Sequence, residues 1–229
     1  MLLIYHIFSG ILLGLILAYI FKEKNAIIFC TLGSILPDLV DKPLGHLIFA
    51  ESIGHGRIFF HTLTFFFLML IIGIVIYSIY SDRTVIYISA GMLLHQLTDS
   101  MFFNLQDWLW PFLGDFTKGN YEPAAYFIQS VIKEISSFSE WTFFLLSAMI
   151  LISAGYLKFI AGDRYRFRLK TAGYMSFAGF LIITITSAAG FYSIFVYNSD
   201  GIFYATVTLF AAGIFLVLAG DKVEKIFQS

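Results

Sequence analysis

Charge is what this sequence has least of. Only 13% of its 229 residues are Asp, Glu, Lys or Arg, whereas 59% are hydrophobic, and the mean hydropathy is +0.84. A water-soluble domain needs far more polar surface to cover its core, so the composition implies an integral membrane protein. The formal net charge is only −1, which leaves no global pull toward nucleic acid or acidic partners. Cysteine is nearly absent too. A lone Cys30 permits neither an intramolecular disulfide nor a cysteine-built zinc site. No H-E-x-x-H occurs, which argues against that type of intramembrane zinc protease. No internal repeat and no low-complexity segment is present. The first apolar run lacks a basic n-region and an A-x-A site, so it is not read as a signal peptide.

What the chain does have is long apolar runs. Stretches compatible with spanning helices lie at about 2–21, 58–80, 84–103, 138–160, 172–198 and 201–220. A shorter run, 26–36 ("AIIFCTLGSIL"), stops at Pro37 and reaches only about 16 Å as a helix, roughly half the hydrocarbon core. It is either a short span or a half-helix buried against its neighbours. The expected fold is therefore all-α, a polytopic transmembrane bundle of about six or seven membrane segments. Residues 1–137 form the domain with the polar motifs and extracytoplasmic loops. Residues 138–229 form a three-helix membrane scaffold in the same bundle.

Lys and Arg in the connections orient the chain. The segment 158–170, "KFIAGDRYRFRLK", is expected on the cytoplasmic side together with Lys22, Lys24, Arg83, Lys222 and Lys225. That arrangement puts ten basic residues inside and four outside (Lys42, Arg57, Lys118 and Lys133). The N-terminus is then outside and the C-terminus inside. The connections 37–57 and 104–137 fall outside, "DWLWPF" (107–112) as an interfacial aromatic anchor and 124–137 as an amphipathic surface helix. His6, Asp38, His61 and Asp99 converge at one membrane depth.

Against this background the ionisable residues stand out. "GMLLHQLTDS" (91–100) ends an apolar run yet carries His95 and Asp99, four apart on one helix face. An ionised Asp deep in such a helix costs roughly 2.5–3.5 kcal/mol on insertion scales, so a compensating partner is needed. Imidazole plus carboxylate is zinc-type ligation. "GSILPDLVDKP" (33–43) adds Asp38 and Asp41, Asp41 being either a ligand or a carboxylate behind one. "GHGRIFFHTL" (54–63) adds Arg57 and His61, Arg57 being either an interfacial charge or an anion partner. "YHIFSG" adds His6. His46 and His55 read as solvated loop histidines. All five histidines lie within the first 95 residues, and the set H…PDxxD…RxxxH…HxxxD has donors enough for one or two divalent ions.

This ordered set resembles the LexA-regulated, inner-membrane metal-dependent hydrolase family over roughly residues 1–113, through "YHIFSG", "GSILPDLVDKP", "GRIFFHTL", "GMLLHQLTD" and "WLWPF". That family is distantly similar to the zinc-dependent phospholipase C and single-strand nuclease superfamily. The resemblance implies His6, Asp38, His61, His95 and Asp99 as metal ligands, with Asp99 a bridge. It departs from that superfamily in having no histidine after His95 and no N-terminal Trp ligand. Glu122, Glu134 or Glu140 could contribute a further oxygen.

The expected activity is hydrolysis of a phosphoester by metal-activated water, with zinc as the metal, or manganese. Asp38, Asp41 and Arg57 are the candidate catalytic groups. The substrate would be a phospholipid or lipid-linked phosphate taken from the bilayer, with no nucleic acid involved. Trp108 and Trp110 either line a lipid entrance or merely anchor their loop. A histidine-nucleophile lipid phosphatase fits worse, because the arginine it needs six residues before H-x-x-x-D is Ser89 here. The competing reading is a non-catalytic metal-binding membrane protein or a transporter.

Overall fold

The computed structural model describes residues 3–119, 129, 132, 136–153, 168–190 and 199–228. The described elements are helical: α1 (Leu3–Phe21), α2 (Ala26–Pro43), α3 (Leu63–Tyr80), α4 (Thr84–Thr98), α5 (Leu105–Trp108), α6 (Phe138–Ser153), α7 (Leu169–Ala188) and α8 (Ser199–Gln228). A π-helical turn, Leu44–Ile48, continues α2. Short 3-10 turns at Phe59–His61 and Met101–Phe103 precede α3 and follow α4. Four of the described helical segments are long and apolar enough to cross a membrane: Leu3–Phe21, Leu63–Tyr80, Leu169–Ala188 and Ile202–Phe227. Most of the surface helix expected over 124–137, most of the basic connection 158–170, and Glu122 and Glu134 lie outside the described residues.

The chain divides into two compact units. The first comprises Ser9–Gly14 and Asn25–Ile132, and the second Leu2–Phe8, Leu15–Lys24 and Lys133–Ser229. In the first unit α2 and α4 pack backbone to backbone, and two glycines make that possible. A Cβ on Gly33 would lie 2.0 Å from the Ile88 carbonyl oxygen, and one on Gly91 would lie 2.2 Å from that of Cys30. Small residues let helices approach closely where no water is available to drive them together. That approach sets the helix bearing Asp38 directly against the helix bearing His95.

The expectation that the second segment stops at Pro37 is corrected. α2 runs on through Pro37 to Pro43, 18 residues in all, so Asp38 and Asp41 sit on helix rather than on an emerging loop. Proline in a helix removes one backbone donor, and the flanking packing of α2 against α4 holds the helix together across it. The α4 segment is also shorter than its apolar run. It ends at Thr98, with Asp99 at the C-cap and Ser100 in the left-handed region at φ 58°. Asp82 Oδ1 accepts from the Thr84 amide at 2.8 Å at its start. His61 sits just before α3, whose N-cap is Thr62, with the hydroxyl accepting from the Phe65 amide at 3.1 Å.

In the second unit a buried polar contact fixes the start of α1. The Tyr5 amide donates to Glu140 Oε2 at 2.9 Å, and the Tyr5 hydroxyl meets Thr208 Oγ1 at 2.8 Å. Tyr5 belongs to the first turn, where backbone donors have no partner within the helix. Glu140 therefore serves as an acceptor for that helix end. On α7 and α8, Lys170 pairs with Asp221.

Candidate metal centre

Four side chains from three elements meet in the first unit: Asp38 of α2, His61 of the 3-10 turn, His95 of α4 and Asp99 at its C-cap. Each offers one donor atom, and these atoms all lie within 4.8 Å of one another. All four residues are buried. His95 Nε2 lies 3.1 Å from His61 Nε2, and Asp38 Oδ1 lies 3.7 Å from each of those nitrogens. Asp99 Oδ2 is 3.9 Å from His61 Nε2.

The far side of each imidazole decides what the near side can do. His95 Nδ1 donates to the Ser34 carbonyl at 2.6 Å, and His61 Nδ1 donates to Asp41 Oδ2 at 2.7 Å. When both rings are neutral, each therefore turns an Nε2 lone pair toward the same point. Two lone pairs at that separation repel unless a positive charge lies between or beside them. Two zinc ligands at tetrahedral angles sit about 3.3 Å apart, given Zn–N bonds of about 2.05 Å. The observed spacing is close to that, so this donor set fits a small divalent cation. A carboxylate or carbonyl behind each metal-binding histidine is the usual device for fixing its tautomer.

Negative charge surrounds these rings: Asp38 and Asp41 flank the His61 imidazole, at 3.7 Å from Nε2 and 2.7 Å from Nδ1. Asp41 has no exposed surface and accepts from the amides of Ile58 at 3.2 Å, Phe60 at 3.1 Å and His61 at 3.0 Å, besides the His61 ring. It builds the 58–61 turn and aims His61.

His6, expected as a further donor, is fully buried in α1 but is not one of the four, and it belongs to the second unit. His46 and His55 are not solvated loop residues. His46 is only 6% exposed, and burial, His55 and Lys42 together lower its pKa. His55 Nε2 donates to the Thr117 carbonyl at 2.8 Å, while its Nδ1 accepts from the Arg57 amide at 3.2 Å. The aromatic run that begins at the end of α5 folds inward as a clasp. Trp108 Nε1 donates to Gln96 Oε1 at 2.9 Å, and Trp110 stacks on Phe116 at 4.8 Å between ring centres. Outward it shows Phe112 and Leu113.

Two basic residues complete the surroundings, one of them missed from sequence. Arg57 Nε and Nη2 each lie 3.2 Å from Asp99 Oδ2. Lys42 Nζ, four residues after Asp38 on the same helix face, donates to Asp38 Oδ2 at 2.6 Å. The i, i+4 spacing of Asp38 and Lys42 was the available signal. A cavity of about 350 Å³ opens beside the four, lined by Asp38 and Asp99 and also by Lys42, His46 and Arg57.

Apolar helices long enough to span a bilayer, with a buried cluster of two imidazoles and two carboxylates, define a helical integral membrane protein able to hold a metal ion. The chain belongs to the YdjM inner membrane protein family, whose family model matches residues 1–222. No curated protein and no solved structure matches it.

Proposed function

We propose that this protein is a membrane-embedded, metal-dependent hydrolase of phosphoesters, acting on a phospholipid or a lipid-linked phosphate. The observation that carries this reading is the pair of facing Nε2 atoms, their outer nitrogens fixed by Asp41 and the Ser34 carbonyl, with two carboxylates beside them. Asp38, His61, His95 and Asp99 would hold the ion, zinc or manganese. Such an ion supplies a Lewis acid and brings the pKa of a coordinated water toward neutrality.

The protein's own groups do the rest. Asp41 and the Ser34 carbonyl keep both rings in the donor tautomer. Asp38, with one oxygen toward the imidazoles and the other on Lys42, is placed to orient an attacking water or take its proton. Arg57 offers a planar fork suited to phosphoryl oxygens. The distant relation to the phospholipase C and nuclease superfamily, and the LexA-regulated label, belong to this same proposal.

Sidedness is part of the reading. With the basic connections inside, the centre faces the extracytoplasmic boundary and the C-terminus is cytoplasmic. Six or seven crossings require α2, α4 and α6 to serve as shorter spans. At 15 residues, α4 would reach about 22 Å.

The test is turnover. Zinc-loaded protein in mixed micelles is incubated with phospholipids and with lipid-linked phosphates, and release of the water-soluble phosphate product is followed. Activity that disappears in Asp38→Asn supports the proposal. A folded, metal-loaded protein inert toward both substrate classes would favour a closed, non-catalytic metal site instead.

A further inference from the structure

We propose that the cavity beside the four-residue centre is a binding site for a phosphate-type oxyanion on an apolar tail, and that metal loading switches it on by freeing Arg57 from Asp99. This rests on the metal reading above and adds its ligand and its order of binding.

The two candidate ligand carboxylates engage the neighbouring cations in different ways. Asp38 divides its work: Oδ1 faces the imidazoles, and Oδ2 holds Lys42 at 2.6 Å. On Asp99 the oxygen that faces His61 at 3.9 Å, Oδ2, also carries both Arg57 contacts at 3.2 Å. A divalent ion held through that oxygen therefore contends with Arg57 for it. Like charge adds to the competition, since a cation at the imidazoles repels a guanidinium beside it.

Arg57 has room to respond. Its side chain is 48% exposed and lines the cavity together with Lys42 and His46. Displaced from Asp99, the guanidinium presents its fork to that space, which Lys42 also lines. Asp107, another carboxylate on the wall, already accepts from the Thr117 amide and hydroxyl at 2.7 Å each, and from the Asn104 side chain. At about 350 Å³ the cavity is near the small end of the usual ligand-pocket range of about 300–1,000 Å³, a size for a headgroup rather than a whole lipid. Next along the chain from the lining residues His46 and Asn104 stand Leu47, 72% exposed, and Phe103, 82% exposed. These apolar neighbours suit an acyl or prenyl tail.

Coupling of this kind is reciprocal: metal raises oxyanion affinity, and oxyanion raises metal affinity by the same factor. The test uses full-length protein in detergent, titrated calorimetrically with zinc, inorganic phosphate and a short-chain phosphatidic acid, with metal content measured separately. Phosphate is expected to bind the zinc-loaded protein at least about tenfold more tightly than the metal-free protein, within the usual span of coupling factors. Arg57→Gln keeps one equivalent of zinc, binds it more tightly than the parent, and loses the zinc-dependent gain. Lys42→Gln weakens phosphate in both states.

Phosphatidic acid displacing phosphate at lower concentration than phosphate itself supports a lipid headgroup as the ligand. Equal potency overturns the tail while leaving the oxyanion site. Zinc uptake with phosphate affinity unchanged by zinc overturns the switch and spares the metal centre. A parallel loss of zinc and phosphate in Arg57→Gln overturns it too. Failure of the folded parent to take up any metal removes the centre and this proposal together.

Discussion

Asp41 and Ser34 touch the outer nitrogens of the two imidazoles, not the point where the inner ones meet. Their effect is on tautomer and aim. Asp41→Asn keeps an acceptor for the 58–61 amides but removes the charge behind His61. We expect it to weaken metal affinity by about 10–100-fold, with full loading recovered at high metal. Asp38→Asn, which removes a charged donor, is expected to lose stoichiometric loading altogether. Metal titration of the two variants separates these outcomes, and equal losses in both would contradict the assignment. At this scale the sequence was informative wherever side-chain chemistry and short spacing coincide. His95 and Asp99, Asp38 and His61 are residues whose type already speaks. The Ser34 carbonyl was out of reach, because every residue has one and nothing in a sequence marks which will accept. Lys42 reads from sequence as a loop charge, because Pro37 ends a helix by local rules. The burial of His46 and the hydrogen bonds of His55 are tertiary properties, with no periodicity in the sequence to reveal them.

Elements place these residues, and α2 against α4 matters most. The site depends on two helices close enough for their backbones to touch at Gly33 and Gly91. Gly33→Ala puts a methyl 2.0 Å from the Ile88 oxygen, so α2 and α4 must separate. We expect a loss of about 1–3 kcal/mol, the usual cost of overpacking, together with weaker metal binding. Gly179 in α7 is the control. A Cβ there meets nothing closer than 3.4 Å, so Gly179→Ala is expected to be neutral or slightly stabilising. Thermal unfolding in detergent reads both, and equal midpoints would contradict the close-packing account. The apolar runs announced most helices, because a membrane span needs many consecutive apolar residues and little else. Their ends were less legible. Pro37 is a strong breaker by local rules, and tertiary packing overrode it. The 84–103 run, apolar throughout, breaks at Asp99 and Ser100, where the left-handed turn carries the cap.

For the whole molecule, the proposed sidedness rests on where Lys and Arg fall. In a Cys30→Ser background, a cysteine at Lys118 is expected to react with a membrane-impermeant maleimide in intact cells. A cysteine at Lys222 should react only after the membrane is opened. The reverse pattern would put the centre on the cytoplasmic side and contradict the orientation. Membership of an inner membrane protein family and the spanning helices agree with the composition. The sequence reading puts residues 6, 38, 61 and 99 at one membrane depth, whereas the four that meet are 38, 61, 95 and 99, in a geometry that only folding defines.

The central claim is that those four residues bind a metal ion. Its most direct test is the metal content of detergent-purified protein by plasma mass spectrometry, beside His95→Ala and Asp99→Ala proteins of verified fold. The account predicts stoichiometric zinc or manganese in the parent and its loss in both variants. A folded parent that carries no metal and takes none up would contradict it, leaving the facing imidazoles to be bridged by a proton.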